Sequence, residues 1–337
     1  MGKKKVYIAY TGGTIGMKPS SNGFVTERGY FGEQIKNYPE LYHPDMPDFE
    51  LHEYEHLIDS ADITPQDWYQ ISQDIESNFD DFDGFIVLHG TDTMAYTSSA
   101  LSFMLEDLSK PVIVTGSQIP WSEMRSDGKE NLVTSLLLAA NYNIPEVGLF
   151  FHNRLYRGNR VRKLDATGFY AFQSPNFPAL VEAGTKIDVK HDLLLKDPQK
   201  MLRVRHIAPP KVVVLSLFPG FPGHILKSLF ESDIKGLVLM TYGMGNAPSE
   251  DEEMLQLLEQ ASGKGVVIVN CTQCNKGIVD MNGYATGKAL LNAGVINGFD
   301  MTPEATMTKL SYLLSCDLEI DEIKRLMQTS LRGELTV

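Results

Sequence analysis

Cysteine is scarce in this sequence, which contains only Cys271, Cys274 and Cys316 among its 337 residues. A small, odd number in a chain of this length does not make a disulfide framework, and reduced thiols are typical of the cytoplasm. Cys271 and Cys274 form a CxxC in "NCTQC" without the second pair or the nearby histidines that a zinc site needs. We therefore predict ordinary thiols rather than a metal or redox centre.

Long apolar runs are also missing. No window approaches the roughly 20 apolar residues of a membrane-spanning helix. The start, "MGKKKVYIAYTGG", has an apolar stretch that is too short for a signal peptide, and no small-residue cleavage site follows it. Val6 stands where a myristoylation motif needs Ser or Thr. These absences predict a cytoplasmic protein that keeps its N-terminus.

Positive charge is in deficit, with 30 Lys and Arg against 43 Asp and Glu and a formal net charge of −13. This balance opposes binding to nucleic acid or to an anionic membrane surface. Hydrophobic residues make up 43% of the chain and charged residues 22%, as in a soluble globular protein. We therefore predict a small-molecule substrate, with neither nucleic acid nor a membrane as a partner.

What the sequence does contain is a regular alternation of strand and helix patterns. Apolar runs such as "KVYIAY", "GFIVLHG" and "KVVVLSLF" alternate with helical stretches such as "TMAYTSSALSFMLEDL" and "SEDEEMLQLLEQAS". This predicts an α/β fold with a larger N-terminal parallel-sheet domain, helices on both of its faces, and a smaller C-terminal α/β domain. The mixed-charge stretch that ends in Pro209–Pro210 interrupts the pattern. We predict domains at 1–190 and 211–337, joined by a linker at 191–210.

A glycine pair between two threonines, in "IAYTGGTIGM" at residues 8–17, directly follows the first strand. It could be a tight turn, a phosphate loop or a nucleophile presented to a substrate. A Walker A loop needs Lys and Ser/Thr directly after its last glycine, whereas Met17 and Lys18 follow Gly16. The spacing of the glycines also fails the dinucleotide fingerprint. Phosphate binding is therefore disfavoured.

A second strand ends in "HGTDT" at residues 89–93. Ligands of open parallel sheets bind at the carboxyl ends of strands, so Thr14 and Thr91 could face one crevice. A threonine nucleophile needs a base and nearby donors for the developing oxyanion. Asp92 could orient a cationic base or a substrate ammonium. From the residues alone, the base could be His89, His152 or Lys163.

These stretches, with "KPVIVTGSQIP", "MRSDGKENL", "RLYRGNRVRK", "YGMGNAP", "NCTQC" and "NGYATGKAL", resemble the L-asparaginases, most closely the type I cytoplasmic bacterial enzymes. The resemblance runs in order from the start to "LRGEL". It implies hydrolysis of L-asparagine to L-aspartate and ammonia without metal or cofactor. It also implies a homo-oligomer, either a dimer or a dimer of dimers that forms a homotetramer, with the active site near the subunit interface.

The resemblance implies a function for each residue of the two threonine motifs. Thr14 would be the nucleophile that forms an acyl-enzyme. Thr91, Asp92 and Lys163 would form a second, triad-like group. In this group Lys163 accepts a proton, Asp92 holds the lysine in place and Thr91 positions the attacking water. Asp92 would also bind the substrate α-ammonium.

The resemblance also implies where the substrate carboxylate binds. Ser60, in "IDSAD", would bind the α-carboxylate, with Asp59 and Ala61 lining that side. A zwitterionic amino acid needs such a pairing of an anion for its ammonium with donors for its carboxylate.

This chain departs from the family at two places. The mobile loop after the nucleophile carries a tyrosine in the family, and Phe24 stands at the corresponding position. Phenylalanine cannot donate or accept a proton, so either the hydroxyl is dispensable or Tyr284 or Tyr30 supplies it, and Tyr284 is favoured.

The second departure concerns the effector site that some type I enzymes carry. The corresponding positions are Arg162, Met240, Asn246 and Cys274. Arg162 replaces a small hydroxyl residue and Met240 replaces a basic one. Loss of a cation that would pair with a carboxylate predicts weak or absent cooperativity.

Two other functions remain open. One is a related amidohydrolase, either a glutaminase-asparaginase or the amidase subunit of a tRNA-dependent amidotransferase. The acidic composition disfavours the amidotransferase, which would need a basic surface for tRNA. The other is a non-catalytic amino-acid sensor on the same scaffold.

Overall fold

The structure is a computed structural model that describes residues 2–21, 23–208, 211–283 and 285–336. Its contacts divide the chain into two compact units, one ending at Arg205 and the other beginning at His206. Pro209 and Pro210, on which the predicted boundary depended, lie outside the described residues. None of the helices in these ranges is both long enough and apolar enough to cross a bilayer.

The first unit is built on a large sheet with the strand order β13-β12-β9-β8-β7-β5-β1-β4. Strands β4, β1, β5, β7 and β8 are parallel to one another, while β9, β12 and β13 continue the sheet in antiparallel pairs that begin with β8 and β9. In chain order the strands of this unit are β1 (Lys5–Gly12), β2 (Met17–Ser20), β3 (Gly23–Thr26), β4 (Asp48–Ile58), β5 (Gly84–Leu88), β6 (Leu105–Glu106), β7 (Val112–Thr115), β8 (Val147–Phe151), β9 (Arg154–Arg157), β10 (Arg162–Lys163), β11 (Phe172–Gln173), β12 (Val181–Ala183), β13 (Ile187–Val189) and β14 (Arg203–Val204).

Helices cover both faces of this sheet, because successive side chains of a strand point to opposite sides. Val6 and Ile8 of β1 face one apolar cluster, while Tyr7 and Ala9 face another. Helices α1 and α4 contribute to the first cluster, and α2 and α3 to the second. The helices of this unit are α1 (Tyr30–Lys36), α2 (Pro65–Ser77), α3 (Met94–Met104) and α4 (Gly128–Asn141).

Part of the segment predicted as a linker, residues 191–210, belongs to the first unit, which ends at Arg205. Strand β14 pairs with β6 in antiparallel fashion, and buried Glu106 of β6 forms ion pairs with Arg203 and Arg205. The same pairing shortens α3, which was predicted to continue through residue 108 and instead ends at Met104.

The second unit contains a four-stranded parallel sheet in the order β15-β16-β17-β18. Its strands are β15 (Val212–Ser216), β16 (Gly236–Thr241), β17 (Val267–Thr272) and β18 (Ile296–Asn297), and its helices are α5 (His224–Glu231), α6 (Glu252–Gly263), α7 (Ala285–Asn292), α8 (Pro303–Leu314) and α9 (Ile320–Met327). The predicted α/β class, with a larger N-terminal parallel sheet, is therefore confirmed.

Candidate active site

Thr14 lies on a short 3-10 turn, Thr14–Gly16, directly beyond the carboxyl end of β1. Gly13 enters that turn with φ 87°, in the region that favours glycine. A Cβ atom on Gly13 would lie 2.3 Å from the backbone nitrogen of Gly90, so the glycine lets the ends of β1 and β5 touch. Thr11, by contrast, is buried and donates its hydroxyl to the Leu88 carbonyl at 2.9 Å, which is a structural bond.

Ser60 reaches the same place from β4, the neighbour of β1 on the other side. It begins the 3-10 turn Ser60–Asp62, which Asp59 caps by accepting the Ala61 N–H at 3.0 Å. Ser60 is buried, whereas Asp59 and Ala61 are exposed. A Cβ atom on Gly90 would lie 2.5 Å from the Ser60 Oγ. The ends of three adjacent strands therefore meet at Gly13, Gly90 and Ser60.

Thr91 and Asp92 follow Gly90 and share one cation. The Lys163 ammonium, on β10, donates to Thr91 Oγ1 at 2.8 Å and to Asp92 Oδ1 at 2.6 Å. The Lys163 side chain is 17% exposed, while that of Asp92 is 66% exposed. Of the three candidate bases, Lys163 is the one that contacts Thr91. The predicted group of Thr91, Asp92 and Lys163 is thus assembled in space, and Asp92 retains an accessible carboxylate edge.

Gln118 belongs to this hydrogen-bond network and was not among the predicted residues. The Thr91 hydroxyl donates to Gln118 Oε1 at 3.2 Å, and Gln118 Nε2 donates to the Gly168 carbonyl at 3.0 Å. Its backbone N–H donates to the Asp127 carboxylate at 3.0 Å. Burial raises the pKa of Asp127, and the backbone N–H groups that it accepts oppose this rise. The only sequence signal for Gln118 was its place in "TGSQIP", after strand β7.

His89 is hydrogen-bonded to the Gly90 backbone and is not placed to act as a base toward Thr91. His89 Nδ1 donates to the Gly90 carbonyl at 2.7 Å, and its Nε2 lies 2.9 Å from Thr97 Oγ1. Because Trp68 donates its indole N–H to that same hydroxyl, the Thr97 proton is available for His89 Nε2. Complete burial lowers the pKa of His89 to about 4, so the ring is neutral.

His152 is also not the partner of Thr91. Its backbone adopts φ 46°, and its ring packs edge-on against Tyr170 with 3.8 Å between centroids. Within the described residues, no three or more His, Cys, Asp or Glu side chains are placed to hold a metal ion.

Comparison with known proteins decides the family. The profile described as "Asparaginase, N-terminal" matches residues 5–195, and "Glutaminase/Asparaginase C-terminal domain" matches residues 211–327. The chain belongs to the asparaginase family. The resemblance inferred from the motifs is therefore confirmed.

Similar proteins cover the whole chain. "L-asparaginase 1" of Escherichia coli K12 is 53% identical over 100% of this chain and 99% of that protein. The crystal structure of L-asparaginase I from Vibrio cholerae is 52% identical, covers 100% of both chains and superposes with a TM-score of 0.94. The structure of the thermostable L-asparaginase from Thermococcus kodakarensis is 32% identical, covers 99% of both chains and has a TM-score of 0.90.

Phe24, which stands at the position of the family's loop tyrosine, and Tyr30, an expected substitute for it, lie in different elements. Phe24 lies on β3 and is 48% exposed. Tyr30 begins α1 and is half-buried, and no hydrogen bond between described residues joins it to Thr14. Tyr284 lies outside the described residues. Tyr10, which was not predicted to supply the hydroxyl, is buried beneath the Thr14 turn, where a Cβ atom on Gly16 would come within 1.9 Å of its hydroxyl.

The residues expected at an effector site are divided between the two units of this asparaginase-family chain. Arg162 lies on β10 of the first unit, beside Lys163. In the second unit, Met240 is buried on β16, and the Asn246 side-chain carbonyl accepts the Thr286 hydroxyl at 2.6 Å. Cys274 is exposed, and its backbone N–H donates to Thr272 Oγ1 at 3.0 Å. The weak cooperativity expected from Arg162 and Met240 stays a prediction.

Proposed function

We propose that this chain hydrolyses the side-chain amide of L-asparagine, giving L-aspartate and ammonia. One observation carries the proposal: Gly13, Gly90 and Ser60 are in contact, which brings three turns to one edge of the parallel sheet. Those turns carry a half-buried threonine, a buried serine and a threonine–carboxylate pair that is bound to a lysine. The family membership supports the same reaction.

The proposed site binds the substrate by its zwitterionic head group. The exposed carboxylate of Asp92 would pair with the α-ammonium, and the Ser60 hydroxyl would donate to the α-carboxylate, with Asp59 and Ala61 on that side. Opposite charges at hydrogen-bond distance are the stronger polar contacts available to a small ligand. The side-chain amide then extends toward the turn that carries Thr14.

The chemistry proceeds in two steps. The Thr14 hydroxyl attacks the amide carbon, and its proton is transferred to the amide nitrogen. The tetrahedral adduct then collapses as the C–N bond breaks and the protonated nitrogen leaves as ammonia. Water then attacks the resulting ester, giving L-aspartate and free Thr14. Thr91 holds this water, and a proton of the water passes through the Thr91 hydroxyl to Lys163, which accepts it after giving up one of its own. A proton then returns to the Thr14 oxygen as the ester C–O bond breaks. Backbone N–H groups beside the glycines are donors of the kind that stabilise such oxyanions.

The proposal requires no cofactor and includes a homo-oligomer, either a dimer or a homotetramer. It also places the reaction in the cytoplasm, which suits three cysteines that form no disulfide.

The test is ammonia release by the purified protein from L-asparagine and from L-glutamine. We expect turnover of asparagine and a loss of at least about 10³-fold in kcat for Thr14→Ala and for Lys163→Met, as when a nucleophile or its proton acceptor is removed. Thr11→Ser, at the buried threonine near the end of β1, is the matched control and should retain activity. Discrimination by one methylene, worth about 1–3 kcal/mol, would favour asparagine by about 10–200-fold, so rates for the two amides that lie within about tenfold would indicate a glutaminase-asparaginase. Asparagine binding without turnover would contradict the proposal and indicate a sensor.

A further inference from the structure

Thr93 is the residue before helix α3, but its side chain does not cap the helix. A threonine at the residue before a helix normally accepts a backbone N–H of the first turn through its hydroxyl. Thr302 does this at the start of α8, where its Oγ1 accepts the Ala305 N–H at 3.1 Å. The Thr93 side chain makes no such bond, and its hydroxyl donates instead to the Ser60 carbonyl at 2.6 Å.

This hydrogen bond joins two turns whose strands are not neighbours. Ser60 follows β4 and Thr93 follows β5, and β1 lies between these strands in the sheet. Strands two places apart are separated by roughly 10 Å. The turns meet over the end of β1. A Cβ atom on Gly12 would lie 2.3 Å from the Ile58 carbonyl oxygen, and one on Gly13 would lie 2.3 Å from the Gly90 nitrogen, so the close approach requires glycine at both positions. The hydrogen bond from the Thr93 hydroxyl ties the two turns together.

The two turns carry the groups that would bind opposite ends of an amino-acid head group. Thr93 directly follows Asp92, and its acceptor is the backbone carbonyl of Ser60 itself. The separation between the Asp92 carboxylate and the Ser60 hydroxyl therefore depends on the bond that Thr93 makes. The α-ammonium and α-carboxylate of a substrate have a fixed spacing, so a change in that separation weakens both contacts at once.

We propose that Thr93 is a positioning residue that sets the distance between the ammonium-binding and the carboxylate-binding groups. This inference rests on the proposed function for the assignment of Asp92 and Ser60 to the substrate. It predicts an effect on head-group binding and little effect on the acyl-transfer steps at Thr14. Because the hydroxyl does not cap α3, its removal should leave the helix intact.

The test compares Thr93→Val, which keeps the branched shape without the hydroxyl, with Thr93→Ser, which keeps the hydroxyl. We expect Thr93→Val to raise KM for asparagine about three- to tenfold, the effect of one neutral hydrogen bond, with kcat within twofold of the parent. Thr93→Ser should restore KM to within about twofold. Thr302→Val is the matched control: it removes a true helix cap, so Tm should fall while KM stays unchanged.

Binding of L-aspartate, measured by calorimetry, separates this inference from the proposed function. If the parent releases no ammonia but binds L-aspartate, the proposed function fails, and a weaker affinity of Thr93→Val would still support the positioning by Thr93. An unchanged KM and L-aspartate affinity in Thr93→Val would overturn the inference. So would a fall in Tm equal to that of Thr302→Val with no change in KM. Absence of both turnover and binding in the parent would overturn both proposals.

Discussion

Replacing Gly13 by alanine should damage the site and the first unit together. The added Cβ atom would lie 2.3 Å from the backbone nitrogen of Gly90 and 2.5 Å from its Cα. Both are backbone atoms, so no side-chain rotation relieves the overlap. The residue would also have to keep φ 87° and ψ 173°, a conformation that is almost restricted to glycine.

The magnitude follows from these two terms. Holding alanine in that conformation costs about 1–3 kcal/mol, and forcing an extra methyl group into a packed site costs about 1–3 kcal/mol more. Separation of the Thr14 turn from the Thr91 turn should also misplace the reacting groups. A displacement of about 1 Å can lower the rate by about 10²-fold. We therefore expect a loss of about 2–6 kcal/mol in the free energy of unfolding and of at least about 10²-fold in kcat/KM.

Gly29→Ala is the matched control, because Gly29 has φ 85° and a Cβ atom added there would meet no other atom within 4 Å. The free energy of unfolding of Gly29→Ala should fall by about 1 kcal/mol, the cost of the backbone conformation alone. Urea unfolding followed by far-UV circular dichroism measures the stabilities, and ammonia release measures kcat/KM. A Gly13→Ala protein that is no less stable than Gly29→Ala, and active within tenfold of the parent, would refute the close contact of the two turns.

Three further predictions concern pH, the loop and regulation. The pKa of His89 is about 4 in the folded protein and about 6.5 when unfolded. The unfolded chain binds the extra proton, so stability is complete above pH 6.5 and falls by about 3 kcal/mol as the pH drops to 4. Urea midpoints should show a smaller fall for His89→Gln over the same window, and equal falls would exclude His89 as the cause. Phe24→Tyr should change the single-turnover rate by less than about tenfold, roughly 1.4 kcal/mol, if a substitute tyrosine, with Tyr284 favoured, assists Thr14 as we expect. A larger increase would show that no such hydroxyl exists. Initial rates against asparagine concentration should follow a Hill coefficient near one, because Arg162 and Met240 replace the hydroxyl and basic residues expected at an effector site, and a clearly higher coefficient would contradict this.

The elements that could be predicted from the sequence are those with local causes. "KVYIAY" and "GFIVLHG" became β1 and β5, since a buried strand is visible in its own composition. The helix predicted over residues 93–108 ended early at Met104, because Leu105–Glu106 pair with Arg203–Val204. Arg203 lies 97 residues after Glu106 in the chain, so no local periodicity can reveal this pairing.

The candidate site shows the same division. The glycine–threonine turns at residues 11–14 and 89–93 were visible as motifs, and the family followed from their pairing. The choice of Lys163 over His89 and His152 was open from the residues alone. It required knowing that β10 carries Lys163 to within 2.8 Å of Thr91.

By itself, the sequence determined the alternation of strands and helices, the positions of the threonine turns and the family, because each depends on neighbouring residues or on a motif read in order. Only the tertiary structure decided that Lys163 bonds Thr91, that Gln118 completes the network and that Thr93 bonds Ser60 instead of capping its helix. The physical reason is that hydrogen-bond partners are selected by distance in space. The order of strands in the sheet, with β1 between β4 and β5, sets those distances.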